Sequence, residues 1–122
     1  MTAMPLPTFS HKRGDVVVVL FPNSDLRTAK LRPALVVQAD GLNTGLAQTV
    51  IAMITSKMFR ARHPCRVTVL LSSSEGKQSG LLTDSVVMAD NLVTVANQAV
   101  DRVIGRLPMA QVDNALKYTL GL

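Results

Sequence analysis

Short apolar runs separated by polar segments dominate this chain, and they predict strands rather than helices. The run at residues 16–21 opens with four consecutive valines. Such a run predicts a strand that is covered on both faces or wrapped tightly in a small barrel. Further strands are predicted at residues 33–38, 48–54, 66–71, 84–89, 92–95 and 100–106.

One helix is predicted, at the end of the chain. Met109, Val112, Leu116 and Leu120 repeat at helical spacing after a proline that suits the first turn, and Gly121 closes the segment. Many short strands followed by one late helix predict a mainly β fold, a small twisted antiparallel barrel with a C-terminal helix.

The remaining segments are polar and predict loops. They are residues 22–31, 39–45, 57–64 and 72–80, of which the last is expected to be flexible. Residues 1–12, which carry two prolines, are interpreted as an irregular arm, and residues 13–122 as one domain.

Composition changes this picture in one respect, the charge. The chain of 122 residues is 48% hydrophobic but only 3% aromatic, so its core must be aliphatic. A net charge of +5 favours a polyanionic partner, either nucleic acid or an acidic protein. The alternative is that many small proteins are basic without binding any polyanion.

Several other classes of protein are disfavoured. Cys65 is the single cysteine, which excludes an internal disulfide, and with His63 it is too little for a zinc site. The apolar runs are too short to cross a membrane, and the N-terminal residues do not resemble a secretory signal, so a cytoplasmic protein is expected.

Arg32 is the most informative candidate for chemistry. Pro33 fixes its own φ angle and biases Arg32 toward an extended conformation at the mouth of an apolar strand. A guanidinium with so rigid a base suits the holding of a phosphate. The alternative is an arginine that caps a strand end and reaches into water.

Six blocks, in order, resemble the MazF/PemK family of bacterial toxins, which are ribosome-independent mRNA endoribonucleases. The blocks include Arg13-Gly14-Asp15 with the valine-rich strand, the segment from Arg32 to Val37, and a strand that ends in Thr55-Ser56. The others are residues 80–82, 84–90 and 104–107. The resemblance covers roughly residues 13–122.

The resemblance implies an SH3-like barrel, a homodimer, and neither cofactor nor metal. It implies a toxin of a type II toxin–antitoxin system that cleaves single-stranded mRNA at short sequences and so inhibits translation and growth. The neighbouring 2′-hydroxyl attacks, which leaves 2′,3′-cyclic phosphate and 5′-hydroxyl ends. The implied partners are RNA and an antitoxin whose acidic, partly disordered segment occupies the RNA groove.

Three residues match catalytic positions of the family. Arg32 is assigned to transition-state stabilisation and proton donation, since arginine stays protonated and is an awkward base. Thr55 is assigned a hydrogen bond to a phosphoryl oxygen; its alternative is to satisfy the strand-end backbone. Asp90 is a candidate proton acceptor, with an ion pair beside the barrel as its alternative. His11, at the edge of the match, is a further candidate.

A second group is expected to bind RNA. Its members lie in the loops that the family places around the groove, beside the first strand, or next to Thr55, and the alternative for each basic member is an ordinary solvated loop. They are Ser56, Asp25, Arg27, Lys30, Lys57, Arg60, Arg62 and Phe21.

Two departures from the family leave other functions open. Met88 stands where many members carry arginine, and the scarcity of aromatic residues leaves little surface for base stacking. The first alternative is therefore a catalytically impaired member that still binds RNA or an antitoxin. A gyrase poison, which shares the barrel, is a distant third because such toxins rely on a C-terminal aromatic segment.

Overall fold

The computed structural model describes residues 11–122 as a six-stranded antiparallel sheet with two helices. The strands are β1 (Asp15–Pro22), β2 (Ala29–Val36), β3 (Gln48–Thr55), β4 (Arg66–Val69), β5 (Ser85–Ala96) and β6 (Val100–Arg106). The helices are α1 (Ser74–Ser79) and α2 (Ala110–Leu120), and 3₁₀ turns cover Met58–Arg60 and Asn97–Ala99. The expected mainly β fold is confirmed.

Both faces of the sheet carry a core. The helix-side cluster comprises Val16, Leu35, Val37, Ala52, Ile54, Val69, Val87, Leu107 and Val112. The methionine cluster comprises Val17, Val19, Ala34, Val36, Ile51, Met53, Val86, Met88 and Val100. The four-valine strand is thus covered on both faces, as predicted, because alternate side chains point to opposite faces.

The strand order is β4-β5-β3-β2-β1-β6. Met88 of β5 and Val100 of β6 nevertheless belong to the same cluster, although three strands separate β5 from β6 in the sheet. A flat sheet would hold these strands about 19 Å apart, at about 4.8 Å per strand. The sheet must therefore curl around the methionine cluster, which gives the barrel-like shape.

Strand β5 joins two predicted strands, 84–89 and 92–95, into one. Its register against β3 shifts so that Ala52 pairs with Leu92 whereas the next residue, Met53, pairs with Met88. Residues 89–91 therefore bulge out of the ladder. The polar pair Asp90-Asn91, which suggested a break in the sequence, marks this bulge.

The prediction of a flexible loop at residues 72–80 is wrong, because this segment contains α1. The Ser73 hydroxyl accepts a hydrogen bond from the Gly76 amide as an N-cap, and Gly80 ends the helix with a φ of 72°. A Cβ on Gly105 of β6 would lie 2.3 Å from the carbonyl carbon of Ser79. This close approach docks a short polar helix that its own sequence does not favour.

The predicted loop at residues 22–31 is too long. Pro22 pairs with Ala29, so β1 and β2 form a hairpin whose turn is residues 23–28. The C-terminal helix is confirmed, with Gly121 at a φ of 71° after Leu120.

Arg13 ties the start of the sheet to α2. Its Nη2 lies 2.5 Å from Oδ1 of Asp113, and its Nε donates to the Val37 carbonyl oxygen.

No helix within residues 11–122 is long and apolar enough to cross a membrane. Of the interpreted arm, residues 1–10 lie outside the described residues.

Candidate active site

A groove of about 980 Å³ crosses the sheet beside the ends of β2 and β3. Its basic lining residues are Lys30, Arg32, Lys57, Arg60 and Arg102, and its neutral polar ones are Thr55, Ser56, Thr83, Ser85 and Asn91. Within the part of the chain that the structure describes, no Asp or Glu lines it. The groove therefore suits a polyanion.

Strand register places Arg32 beside Thr55. Ala34 pairs with Met53, and both belong to the methionine cluster. Arg32 and Thr55 each stand two residues beyond this pair, at the same end of the ladder, so their side chains project from the same face. Pro33 has no amide hydrogen, which ends the ladder here and leaves both side chains facing the groove.

The turn between β1 and β2 orients the Arg32 guanidinium. Arg32 Nη2 donates to Asn23 Oδ1 at 3.0 Å, and Asn23 Nδ2 donates to Thr28 Oγ1 at 2.9 Å. The backbone amide of Asn23 also donates to the Thr28 carbonyl oxygen. Arg32 is half-buried, and it is held by a neutral amide, so its charge is not cancelled there.

Asp25 organises this turn and does not line the groove. Its carboxylate accepts hydrogen bonds from the Arg27 amide, the Thr28 amide and the Thr28 hydroxyl. The backbone hydrogen bond from Arg27, followed by those from Thr28, lowers the pKa of Asp25 from its ordinary value of 3.8. The residue shapes the turn that holds Asn23.

Thr55 and Ser56 lie at the end of β3. Thr55 is half-buried, and its Oγ1 accepts a hydrogen bond from the Lys57 amide at 3.2 Å. Its hydroxyl hydrogen remains available to a ligand in the groove, because the oxygen is only an acceptor in that bond. Ser56 and Lys57 are exposed on the same rim.

Met88 lies at the floor of the groove with an arginine beside it. Arg60 Nη1 is 3.6 Å from Met88 Sδ. The Arg60 guanidinium also lies 5.8 Å from the centre of the Phe59 ring. The Arg60 guanidinium thus places a positive charge beside Met88, whose own side chain is neutral.

Asp90 lies in the bulge of β5, outside the groove lining. Both of its carboxylate oxygens accept from Arg66, at 2.8 Å from Nε and 2.6 Å from Nη2. The hydrogen bond from Arg66 lowers the pKa of Asp90 from its ordinary value of 3.8. This geometry favours the ion-pair alternative, since a paired carboxylate of lowered pKa is a weak base. A role as proton acceptor stays a prediction.

The other predicted residues divide by position. Phe21 and Lys30 line the groove, whereas the exposed Arg27 and Arg62 do not. His11 lies in a different cavity, where its Nε2 is 2.8 Å from Thr49 Oγ1. The RNA-binding roles of Phe21, Lys30, Arg27 and Arg62, and that of His11 as a candidate proton acceptor, stay predictions.

Three residues in or beside the groove carried no clear signal in the sequence. Asn23 sits in an ordinary turn, and Arg102 follows Asp101 in an edge strand, where a solvated ion pair is the natural interpretation. Asn91 reaches the groove because of the bulge. Asn91 and Arg102 line the groove because the fold brings segments distant in sequence together, whereas Asn23 supports Arg32 within the same hairpin.

Comparison with known proteins agrees with this geometry. Residues 12–120 match the model of the family described as PemK-like, MazF-like toxin of type II toxin–antitoxin system. The chain belongs to the PemK/MazF toxin family. Over 115 residues it is 31% identical to endoribonuclease EndoA of Bacillus subtilis, an alignment that covers 91% of this chain and 95% of EndoA.

Solved structures of PemK/MazF toxins share the fold. An endoribonuclease from Mycobacterial species superposes with a TM-score of 0.69 at 25% identity, covering 96% of this chain and 97% of that one. MazF in a MazE–MazF crystal from Deinococcus radiodurans gives a TM-score of 0.70 at 19% identity, covering 94% and 99%. The latter, at this identity, is evidence for the barrel-like fold alone.

Proposed function

We propose that this PemK/MazF protein is a toxin that cleaves single-stranded mRNA at specific short sequences without a metal ion. The observation that carries the proposal is that Arg32 and Thr55 line the same groove, which is rich in basic side chains, each two residues beyond the last β2–β3 pair. The 31% identity to an endoribonuclease over nearly the whole chain supports it. Cleavage of mRNA would inhibit translation and growth in the cytoplasm.

In the proposed reaction the 2′-oxygen of the RNA attacks the adjacent phosphorus. The new P–O2′ bond forms as the P–O5′ bond breaks, which gives a 2′,3′-cyclic phosphate and a 5′-hydroxyl end. Charge accumulates on the phosphoryl oxygens in the transition state, and the fixed Arg32 guanidinium stabilises it. Thr55 donates its hydroxyl hydrogen to one of those oxygens.

Two protons must move. The 5′-oxygen takes up one as it leaves, and Arg32 is the assigned donor. The 2′-oxygen loses the other, and Asp90 accepts it only if its pairing with Arg66 opens when RNA binds. A closed pair leaves water as the acceptor.

The proposed partners follow from the same groove. A solved endoribonuclease from Mycobacterial species is in complex with its cognate antitoxin, and the Deinococcus radiodurans crystal holds MazE with MazF. We propose that this chain forms a homodimer and that an acidic antitoxin segment competes with RNA for the groove. A basic lining without carboxylates in the described chain fits either polyanion.

The decisive experiment incubates the protein with a long single-stranded RNA in excess EDTA and identifies fragment ends by mass spectrometry. We expect discrete cuts that carry cyclic-phosphate ends. Arg32→Ala should slow cleavage by about a hundred-fold or more. Lys117→Ala, which removes an exposed charge on α2, is the matched control and should cut at the parental rate.

Met88 favours a second candidate function, a catalytically impaired toxin that binds without cutting. The thioether at the groove floor neither carries charge nor donates a proton. In that case RNA stays intact, uncleavable RNA still binds, and Met88→Arg creates activity. Discrete cleavage by the parental protein would exclude this candidate.

A further inference from the structure

We propose that the Asp90–Arg66 ion pair is a brace that positions Arg60 as a second phosphate-binding guanidinium of the groove. Asp90 and Arg66 are then positioning residues, and Arg60 is the group that touches RNA. The proposal rests on the proposed function, because it assigns these residues to binding and cleavage of RNA in the same groove.

The outer end of the brace is a bidentate ion pair. Asp90 sits in the β5 bulge, and its carboxylate contacts Arg66 of β4. Its two oxygens engage Nε and Nη2 of Arg66 at 2.8 and 2.6 Å, a bidentate geometry that fixes the plane of the guanidinium. Only 22% of the Arg66 side chain is exposed.

The brace continues into the 3₁₀ turn Met58–Arg60. The remaining nitrogen of Arg66, Nη1, donates to the Arg60 carbonyl oxygen at 2.8 Å. Each of the three guanidinium nitrogens of Arg66 therefore donates to a protein acceptor, and Arg66 itself does not line the groove. It fixes the backbone of Arg60 instead.

The Arg60 side chain is directed into the groove. It is half-buried, and its Nη1 rests 3.6 Å from Met88 Sδ. A thioether is a weak acceptor that locates the guanidinium without neutralising it. Among residues 11–122, no ion pair engages Arg60. The positive charge is thus held in place and uncompensated, as a phosphate site requires.

The sheet register brings this charge near Arg32. Met88 pairs with Met53, and Met53 pairs with Ala34, so the three lie in one row across β5, β3 and β2. Neighbouring strands are about 4.8 Å apart, which puts the ends of this row about 10 Å apart. Arg32 lies two residues along β2 from Ala34 on the same face. Two arginine side chains of this length can therefore contact one phosphodiester or two successive ones.

A double-mutant cycle tests the brace. Asp90→Asn keeps the shape of the side chain but removes the charge that holds Arg66, and Arg60→Ala removes the guanidinium. We expect Arg60→Ala to lower kcat/KM for RNA about a hundred-fold and Asp90→Asn about ten-fold. In the Arg60→Ala background, Asp90→Asn should have no further effect, because the brace has nothing left to position.

Binding supplies a readout that does not depend on cleavage. Affinity for a 2′-O-methyl RNA, which cannot form the cyclic phosphate, is measured against salt concentration. Arg60→Ala should reduce the slope of log K against log salt by about 0.7, and Asp90→Asn should reduce it partly. Lys117→Ala should leave the slope unchanged. Thermal unfolding of each variant checks that it is folded.

The outcomes separate the two proposals. If the parental protein binds RNA but does not cut it, the proposed nuclease fails while the binding cycle still decides the brace. The brace is overturned if Asp90→Asn lowers cleavage or affinity by the same factor with and without Arg60. That result would mean that Asp90 acts independently, as a base or through general stability. The brace is also overturned if Asp90→Asn cleaves and binds RNA as well as the parental protein does.

Discussion

At the scale of single residues, two guanidinium groups of the groove are held by neutral partners. Arg32 is held by the side-chain oxygen of Asn23, and Arg60 is located by the Met88 thioether. Neither holder carries charge, so both cations stay available to a phosphate. Holding a cation by neutral groups in advance lowers the reorganisation needed in the transition state.

Asn23 offers a direct test of this principle. Asn23→Ala should lower kcat for RNA cleavage by about ten-fold, less than the loss of Arg32 itself, because the guanidinium remains but is no longer oriented. Single-turnover kinetics on a short RNA measures the effect. The control is Ser24→Ala, at the exposed neighbouring position. Equal losses in the two variants would mean that turn integrity, not the Arg32 contact, is responsible.

Acidity should weaken the fold through residues whose pKa is lowered by hydrogen bonds. The bond from Arg66 lowers the pKa of Asp90, and the bonds from Arg27 and Thr28 lower that of Asp25. Groups of this kind stabilise the folded state above their ordinary value of 3.8, and the stabilisation is lost as pH falls through the lower folded value. In urea unfolding, the free energy of unfolding should therefore decrease as the pH is lowered below about 4. The decrease should be less steep in Asp90→Asn.

The positions of site residues were predictable only where residue type and strand register act together. Arg32 was singled out by the proline that follows it, and Thr55 by the resemblance to the PemK/MazF family. The structure places both at the groove, and their roles stay predictions. For Asp90 an ion pair beside the barrel was an open alternative, and the observed pair with Arg66 favours it. Arg102 could not be found because its neighbours in the groove come from other strands, and Asn23 because its bond to Arg32 depends on the geometry of the hairpin.

At the scale of elements, the local hydrophobic pattern was enough to locate a strand when one or both of its faces are buried. The valine-rich β1, the apolar β3 and the edge strand β6 were located to within about one residue. Helix α1 was missed because its stability comes from the Ser73 cap and from contact with Gly105 of a later strand. Neither interaction is visible as hydrophobic periodicity.

Gly105→Ala tests the docking of α1 on β6. A Cβ at this position would lie 2.3 Å from the Ser79 carbonyl carbon and 2.4 Å from the Gln78 carbonyl oxygen, so backbone must move. We expect a loss of about 2–3 kcal/mol in the free energy of unfolding, measured by urea denaturation. Gly41→Ala, which meets no atom within 4 Å but has a φ of 66°, should cost only about 1 kcal/mol. Equal costs would mean that the α1 contact is dispensable.

At the scale of the whole molecule, the curled sheet gathers charge from separate segments into one groove. Lys30 and Arg32 come from β2, Lys57 and Arg60 from the segment after β3, and Arg102 from β6. The net charge of +5 alone did not locate this surface. Curvature around the methionine cluster is what brings β6 close to the segment after β3.

Salt dependence of RNA binding measures how many of these charges act together. Each neutralised phosphate on a single strand contributes about −0.7 to the slope of log K against log salt, so five contacts predict about −3.5. Arg102→Ala should reduce the slope by about 0.7, because the exposed Arg102 lines the groove although its carboxylate neighbour, Asp101, competes for it. Lys117→Ala keeps the same net charge as Arg102→Ala but lies outside the groove lining. Fluorescence anisotropy with 2′-O-methyl RNA measures the slope for each variant. A smaller slope in Arg102→Ala alone is expected if RNA binds in the groove. Equal slope changes in the two variants would show that the overall charge of the protein, rather than this groove, holds the RNA.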